Sequence, residues 1–216
     1  RHAPSERQAY SQTVEDQSIH GMQVPASESK HVKQLKVNLN GRDVYLEQDD
    51  ATENTTGSTL WLSGQVLSAW LQYTHTKGSN PPKRAIELGS GIGLLALTLQ
   101  ALGYNVLATD SPVAFSLLQK NVEKNRQYGG ASRLEAQVLD WHSDPSSWSW
   151  NSPAAEEDAQ TSLQPPFDLI VTTDTVYIEA LFDPLLETIK ALSLGEKSPA
   201  ILLALEERDA PSIEEF

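Results

Sequence analysis

Apolar positions along the chain follow two periods, one typical of strands and one typical of helices. Short apolar runs predict strands at 84–88, 105–109, 134–139, 167–172 and 200–205. Recurrence at every third and fourth residue predicts helices at 62–76, 92–101, 112–127 and 183–194. Because helices separate most of these strands, the sequence predicts a doubly wound α/β fold with a mainly parallel sheet and helices on both faces.

A different pattern precedes this region. Apolar and polar residues alternate on both sides of Asn40-Gly41, which is the strongest short signal for a β-hairpin. Residues 1–30 are rich in Ser, Gln, Glu and His without sustained periodicity, which predicts a mobile arm. We therefore divide the chain into an arm at 1–30, a hairpin with a polar loop at 31–60, and an α/β domain at 61–216.

Two details refine the predicted domain. Ser111-Pro112 has the residues of a helix start, with serine as the N-cap and proline at the first helical position. Residues 142–166 form an insertion that is too long for an ordinary connection, which predicts either a functional lid or disorder. Trp148 and Trp150 are expected to anchor part of this insertion.

A glycine loop follows the first strand of the predicted sheet. Gly89, Gly91 and Gly93 alternate with other residues, and Leu94 stands where the dinucleotide fingerprint has its third glycine. Glu87 lies two residues before the loop, where a carboxylate can reach a cationic amino group. This combination suits S-adenosylmethionine, which has an ammonium group and no pyrophosphate. The alternative is a tight βα turn that binds no ligand.

Acidic residues follow the next two strands. Asp110 comes 17 residues after Gly93, near the spacing at which a carboxylate binds ribose hydroxyls. Its alternative role is to stabilise the N-terminus of the following helix. Asp140-Trp141 ends the third strand, where a polar group and an aromatic ring suit an adenine. A strand-end carboxylate beside a core tryptophan is the equally supported alternative.

Thr173, Asp174 and Tyr177 follow the fourth strand. Ligands of open α/β sheets bind at the carboxyl edge, so a methyl acceptor would enter here. Considered alone, however, Asp174 is better explained as a helix N-cap and Tyr177 as a half-buried aromatic residue at a helix start.

Composition limits the function classes. With 16 basic and 29 acidic residues, the formal net charge is −13, which disfavours nucleic acid as a partner and suits a basic protein segment. The chain has no cysteine, and its histidines lack metal-ligand spacing. No apolar run approaches the roughly 18 residues of a membrane span. We therefore expect a soluble protein with no metal site, located in the cytoplasm or alternatively in the nucleus.

Several segments together resemble the seven-β-strand (class I) methyltransferases, which have a Rossmann-like fold, and within them methyltransferase family 16, which contains many protein-lysine methyltransferases. The matching segments are Gly-Ser-Thr-Leu-Trp at 57–61, Glu-Leu-Gly-Ser-Gly-Ile-Gly-Leu at 87–94, Ala-Thr-Asp at 108–110, Val-Leu-Asp-Trp at 138–141, Phe-Asp-Leu-Ile-Val-Thr-Thr-Asp-Thr-Val-Tyr at 167–177 and Ala-Leu-Glu-Glu-Arg at 204–208. The glycine loop is typical of the whole superfamily, whereas the Asp-x-x-Tyr motif and the upstream tryptophan are specific to this family.

The resemblance implies a pocket for S-adenosylmethionine. Its expected residues are Trp61, Glu87, Gly89, Ser90, Gly91, Gly93, Asp110, Asp140, Trp141 and Thr173. Within this set, Glu87 and the first two glycines would line the methionine end and Asp110 the ribose. Asp140 and Trp141 would line the adenine, and Trp61 would close over the cofactor.

The resemblance also implies the reaction. Asp174 and Tyr177, the Asp-x-x-Tyr motif, would border a channel that receives a lysine of a cytosolic translation factor, ribosomal protein or chaperone-type ATPase. We expect a monomer whose substrate presents an exposed lysine in a basic region, with no nucleic acid and no membrane as partner. The alternatives are another methyl acceptor, a catalytically silent cofactor-binding partner protein and, third, a dehydrogenase.

The chain departs from the family pattern in two places. The insertion at 142–166 is longer than expected, and the predicted elements stop after a fifth strand where the family has a sixth strand and an antiparallel seventh. Either the chain is incomplete or its sheet is trimmed.

Overall fold

The computed structural model describes residues 24–49, 56–74, 83–150, 163–195 and 197–207. The strands are β1 (Gln34–Leu39), β2 (Arg42–Glu47), β3 (Arg84–Leu88), β4 (Asn105–Asp110), β5 (Leu134–Val138), β6 (Leu169–Thr173) and β7 (Ala200–Ala204). The helices are α1 (Ala26–Ser29), α2 (Leu62–Thr74), α3 (Leu94–Ala101), α4 (Phe115–Asn125) and α5 (Phe182–Leu192). Within these ranges, no helix is both long and apolar enough to cross a membrane.

Strands β3 to β7 form one sheet in the order β5-β4-β3-β6-β7, and all neighbours in it are parallel. In the centre, Glu87 of β3 lies opposite Ala108 of β4 and Val171 of β6. The chain winds outward from β3 to β5 and then returns to place β6 on the other side of β3. The winding direction therefore reverses between β3 and β6, and such a switch point is where ligands bind in open α/β sheets.

Two apolar layers cover the sheet. On one face, α2, α3 and α4 bury side chains such as Leu71, Leu97 and Leu118. On the other face, α5 buries Leu185 against Ile170 of β6. Because both faces are covered, the central strands are buried at nearly every position, which is why they appear in the sequence as short apolar runs and not as strict alternation. The predicted Rossmann-like α/β fold is confirmed.

Strands β1 and β2 form the predicted hairpin ahead of this sheet. They pair antiparallel from Gln34 opposite Glu47 to Leu39 opposite Arg42. The turn has positive φ at both Asn40 (51°) and Gly41 (82°), as a type I′ turn requires. The apolar side of the hairpin joins the layer formed by α2, α3 and α4.

The start of α4 differs from the prediction. The helix begins at Phe115, so the predicted N-cap at Ser111 is wrong. The amide of Ser111 donates to Asp110 Oδ1 at 2.7 Å, which makes the preceding aspartate the partner of this amide. Residues 112–114 form a turn before the helix begins.

The segment predicted as a polar loop at 48–60 is buried at both of its ends. Gln48 Nε2 donates to the carbonyls of Ser29 and Val32, and Gln48 Oε1 accepts from the amide of Leu60. Buried polar groups are normally hydrogen-bonded, and here one glutamine amide satisfies three backbone groups. This side chain fixes the chain that enters α2 to the N-terminal hairpin.

The insertion is described at its two ends. Trp150 contacts Trp148 and Phe167 edge to face, with ring centroids 5.9 and 6.2 Å apart. These tryptophans pack against the apolar layer that contains α5, as predicted. The prediction of a lid or disorder falls mainly on residues 151–162, which lie outside the described residues, as do residues 1–23 of the predicted arm.

Candidate active site

The carboxyl ends of β3, β4, β5 and β6 surround a cavity of about 600 Å³, which adjoins a smaller one of about 40 Å³. Both lie at the switch point of the sheet. The predicted site residues that line one or both of them are Trp61, Glu87, Gly89, Ser90, Gly91, Asp110, Asp140, Trp141, Thr173, Asp174 and Tyr177. The fold thus brings together residues that lie up to 116 positions apart in the sequence.

Gly93 is the exception among the predicted residues, because it lines neither cavity. It has φ +91°, and a Cβ there would lie 3.1 Å from Leu118 Cδ1. The glycine is therefore required by the turn into α3 and by the close packing of α4 against it, rather than by contact with a ligand.

Gly89 and Gly91 form the floor between the two cavities. Gly89 has φ +70°, and a Cβ there would lie 2.7 Å from Thr175 Cγ2. Gly91 has φ +53°, and a Cβ there would lie 3.3 Å from the carbonyl oxygen of Gly57. Both positions combine a left-handed backbone with close neighbours, so only glycine keeps the loop in this conformation.

Ser90 attaches the same loop to β4. Its amide donates to the carbonyl of Thr109 at 2.9 Å, and its Oγ accepts from the amide of Thr109 at 3.1 Å. Thr109 Oγ1 in turn donates to the backbone carbonyl of Glu87 at 2.6 Å. These bonds fix where the side chains of Glu87 and Asp110 enter the site.

Glu87 is almost completely buried at the wall of the smaller cavity. Its Oε2 has no hydrogen-bond partner among the described residues. Burial is the main cause that raises the pKa of Glu87 to about 8; hydrogen bonds from Ser90 and the Ala96 amide lower it, and the nearby Asp110 charge raises it. Burying a carboxyl oxygen without a hydrogen-bond partner costs free energy unless a cation or a donor pairs with it.

Asp110 ends β4 and holds the glycine loop. Its Oδ2 accepts from the amide of Gly91, and its Oδ1 from the amide of Ser111, both at 2.7 Å. Burial raises the pKa of Asp110, while these two amides act in the opposite direction. Each carboxylate oxygen has two lone pairs, so both can also accept from hydroxyl groups in the cavity.

Asp140 and Trp141 form the wall at the end of β5. Asp140 Oδ1 accepts from the amide of His142 at 3.0 Å, which turns the chain away from the sheet. The Trp141 ring would lie 3.5 Å from a Cβ at Gly89, and its Nε1 is buried without a hydrogen-bond partner in the described structure. The wall therefore presents a flat aromatic surface beside a carboxylate.

Asp174 lies directly after β6 and has φ +54°, a conformation that is uncommon for residues other than glycine. Its Oδ1 accepts from Ser63 Oγ at 2.9 Å, and its Oδ2 from the amide of Gly64 at 3.3 Å. Its own amide donates to the carbonyl of Ala204 in β7. The carboxylate is thus held by the start of α2, and the strained backbone points to a functional position.

Two aromatic residues, Tyr177 and Trp61, line the larger cavity, and Thr56 contacts both. Tyr177 Oη lies 2.9 Å from Thr56 Oγ1, and Trp61 Nε1 donates to the carbonyl of Thr56 at 2.8 Å. About half of the Tyr177 side chain is exposed, whereas Trp61 is partly buried. One threonine therefore fixes the separation of the two rings.

The sequence-based reasoning missed several lining residues. Gly57 and Thr175 make the closest contacts with the glycine loop, and Thr56 links the aromatic residues. Gly57 and Thr175 lie inside the segments that match the family, which indicated that they could lie near the site. Nothing in the sequence showed which glycine of the loop each would contact. Further lining residues are Ser111, Val113, Leu139, His142, Ile178 and Leu181.

The lining of the cavity fits S-adenosylmethionine by its acidic character. Asp110, Asp140 and Asp174 line it, the Glu87 carboxyl lines the smaller cavity, and neither Lys nor Arg lines the described part of the site. This donor set suits a ligand with a sulfonium and an ammonium and disfavours a pyrophosphate. The unpartnered Glu87 Oε2 is where the ammonium would be held.

Comparisons with known proteins agree with this geometry. A sequence profile described as lysine methyltransferase matches residues 40–216. Protein N-lysine methyltransferase METTL21A of Danio rerio is 30% identical over 175 residues, which cover 80% of this chain and 72% of that protein. EEF1A lysine methyltransferase 3 of Mus musculus is 34% identical over 152 residues, which cover 70% of this chain and 57% of that protein.

Other similarities are more partial. Protein-lysine N-methyltransferase rrg1 of Schizosaccharomyces pombe is 32% identical over 143 residues, which cover 64% of this chain and 43% of that protein. The chain therefore spans less than two thirds of the length of rrg1 and of EEF1A lysine methyltransferase 3.

Among solved structures, a SAM-dependent methyltransferase from Agrobacterium tumefaciens has the same fold, with a TM-score of 0.50 and 16% identity over 85% of this chain and 56% of that one. The enzyme class and the cofactor predicted from the motifs are confirmed at the level of the family. The chain belongs to the lysine methyltransferase family, whose members use S-adenosylmethionine as the methyl donor.

Proposed function

We propose that this protein transfers a methyl group from S-adenosylmethionine to the side-chain amine of a lysine in another protein. The observation that carries the proposal is the position of Asp174 and Tyr177. They lie at the rim of the larger cavity, which Asp110 also lines, while Glu87, whose Oε2 has no partner among the described residues, lines the smaller adjoining cavity. The two adjoining cavities thus contain suitable groups for the donor at one end and for a cationic acceptor at the other.

The protein binds and orients the donor through carboxylates and backbone groups. Bound S-adenosylmethionine supplies a methyl group that its sulfonium has already activated. Glu87 would pair with the amino group, Asp110 would accept from the ribose hydroxyls, and Trp141 would cover the adenine. Orientation of this kind is the main contribution of the protein to an in-line displacement.

The acceptor must arrive as a neutral amine. A free lysine has a pKa of about 10.4, so at neutral pH its proton must leave before the nitrogen attacks. The rings of Tyr177 and Trp61 would remove water from the lysine side chain, which disfavours the charged form. Asp174, fixed by Ser63 and Gly64, would orient the amine and pass its proton to water.

The expected substrate is a protein segment with an exposed lysine among basic residues. The net charge of −13 and the acidic lining of the cavity both attract cationic segments and repel nucleic acid. We propose a cytoplasmic substrate, with the nucleus as the alternative, and a monomeric enzyme. The name of EEF1A lysine methyltransferase 3 supports a translation factor as the substrate. A ribosomal protein or a chaperone-type ATPase is the alternative substrate.

A labelling reaction tests this function. The purified protein is incubated with methyl-labelled S-adenosylmethionine and a cytosolic extract, and the labelled band is analysed by mass spectrometry. We expect methyl-lysine in one or a few proteins. Label on a different residue type would assign another acceptor, whereas cofactor binding without label would identify a silent binding protein. Tight binding of NAD instead would indicate a dehydrogenase.

Replacing Tyr177 with phenylalanine is expected to lower methylation about tenfold, because it removes the hydroxyl that lies 2.9 Å from Thr56 Oγ1 at the channel wall. Cofactor affinity should remain within twofold of wild type in a binding titration. Tyr73→Phe is the matched control, since Tyr73 is 91% exposed on the outer side of α2. Equal turnover in the two variants would remove the Tyr177 hydroxyl from the mechanism.

Replacing Asp174 with asparagine is also expected to lower the turnover number at least tenfold. Asparagine tolerates positive φ and can still accept from Ser63, so the variant should fold. The loss follows from removing the negative charge beside the amine. Asp183→Asn, on the exposed side of α5, is the control. Wild-type turnover together with unchanged cofactor affinity in Asp174→Asn would contradict the proposed role.

A further inference from the structure

We propose that Asn121 of α4 is a positioning residue for the cofactor site, through which the N-terminal hairpin holds the glycine loop in place. The inference depends on the proposed binding of S-adenosylmethionine at that loop. Neither Asn121 nor the hairpin lines the cavity. Their effect on the ligand would therefore pass entirely through the backbone of the loop.

The outer edge of β2 is paired with side chains instead of another strand. Asn121 Oδ1 accepts from the amide of Glu47, and its Nδ2 donates to the carbonyl of Glu47, at 2.8 and 3.0 Å. One helical turn later, Asn125 makes the same two bonds to the amide and carbonyl of Tyr45, at 3.0 and 2.8 Å. Two asparagine amides four residues apart thus imitate the hydrogen bonds of a neighbouring strand.

Only one of the two asparagines also makes a hydrogen bond to the glycine loop. Asn121 Nδ2 also donates to the carbonyl of Ile92 at 3.0 Å, whereas Asn125 Nδ2 donates to the carbonyl of Asn121 within α4. Ile92 stands between Gly91 and Gly93, so this bond joins the loop at its centre.

The loop is then held from two sides. The amide of Gly91 donates to Asp110 Oδ2, and the carbonyl of the next residue accepts from Asn121. Asn121 is completely buried, so removal of its side chain leaves buried backbone groups without their protein partner. Without it, the Ile92–Gly93 peptide keeps the bond from the Gly93 amide to the Ser90 carbonyl at 2.8 Å and loses the hydrogen bond on its carbonyl side.

The consequence for binding follows from the left-handed backbone of the loop. Gly91 and Gly93 have φ of +53° and +91° and no side chains to restrict rotation. The flanking peptides therefore depend on hydrogen bonds to keep their direction. Removing the Asn121 bond is expected to raise the dissociation constant for S-adenosylmethionine or S-adenosylhomocysteine about tenfold, the size of one net hydrogen bond.

Asn125 provides a matched control, because it is equally buried and makes the same two bonds to β2 but none to the loop. The experiment compares Asn121→Ala with Asn125→Ala. Melting temperature is measured for each variant, and the dissociation constant for S-adenosylhomocysteine is measured by calorimetry well below the lower melting temperature. Hydrogen exchange at the amides of the glycine loop is followed in parallel.

We expect both variants to lose similar stability, and only Asn121→Ala to lose about tenfold in affinity and to exchange faster at the loop. Equal dissociation constants in the two variants, whether changed or unchanged, would overturn the inference and leave both residues with a structural role. If Asn121→Ala does not fold, Asn121→Ser replaces it with the same criteria. No binding by the wild-type protein would instead refute the cofactor site itself, and the inference with it.

Discussion

Replacing Gly89 with alanine is expected to lower the affinity for S-adenosylmethionine by several hundredfold or more. The added Cβ would lie 2.7 Å from Thr175 Cγ2 and 3.5 Å from the Trp141 ring, and φ at this position is +70°. Either the loop or the residues after β6 must move, and both line the cavity. Equilibrium dialysis with labelled cofactor measures the loss.

A matched control separates the clash from the backbone strain. Gly41 in the hairpin turn has φ +82°, and a Cβ there would meet nothing within 4 Å. Gly41→Ala therefore imposes similar strain, about 1–2 kcal/mol, at a position remote from the cavity. It should lower the melting temperature and leave the affinity unchanged. Wild-type affinity in Gly89→Ala would show that the loop does not contact the ligand.

Replacing Glu87 with glutamine is expected to stabilise the ligand-free protein and to weaken cofactor binding. Burial raises the pKa of Glu87 from 4.5 to about 8, so the folded protein holds this proton more tightly than the unfolded chain. Stability linked to Glu87 is therefore fully present below pH 4.5 and declines as the pH rises to 8. At pH 8 the glutamine variant should exceed wild type by about 4 kcal/mol in free energy of unfolding, and near pH 4 the two should agree.

The same proton should govern ligand affinity. An ammonium pairs with the ionised form of Glu87, so binding below pH 8 must release the proton, and affinity should fall up to tenfold for each pH unit below 8. Glu87→Gln should bind about 100-fold more weakly at pH 8 and lose this dependence. Denaturant unfolding and calorimetry between pH 5 and 8 measure both effects.

Glu123→Gln, on the exposed side of α4, serves as the control for the lost charge. A pH-independent affinity in the wild-type protein, or a stability difference that does not grow between pH 5 and 8, would contradict the role of Glu87. The opposite signs of the two effects distinguish this prediction from simple damage to the core.

Much of the fold followed from local patterns. The hairpin was predictable because Asn40-Gly41 supplies the two positive φ values that its turn requires. The parallel strands were predictable because their burial on both faces leaves nearly continuous apolar runs. The start of α4 was not, because Ser111-Pro112 has the residues of a cap, while the structure forms a turn at 112–114 and begins the helix at Phe115.

The site was predictable where a residue type has few other reasons to occupy its position. Glu87 at the end of an apolar strand and the glycines after it are such cases. Thr56 was not predictable, because its partners are 5 and 121 residues away and depend on how α2 packs. Gln48 and Asn121 resembled ordinary surface residues, since nothing local shows that an amide will satisfy the backbone of a distant strand.

The pairing of β3 with β6 has a consequence for the order in which this protein folds. Thr172 Oγ1 donates to the carbonyl of Leu88, a residue 84 positions earlier, and the ligand cavity spans the seam that this contact closes. Contacts between such distant residues form slowly, because a large loop must close first. During refolding, stabilisation by bound S-adenosylhomocysteine should therefore appear late. A ribosome-bound nascent chain should not be stabilised by this ligand until β6 has left the exit tunnel.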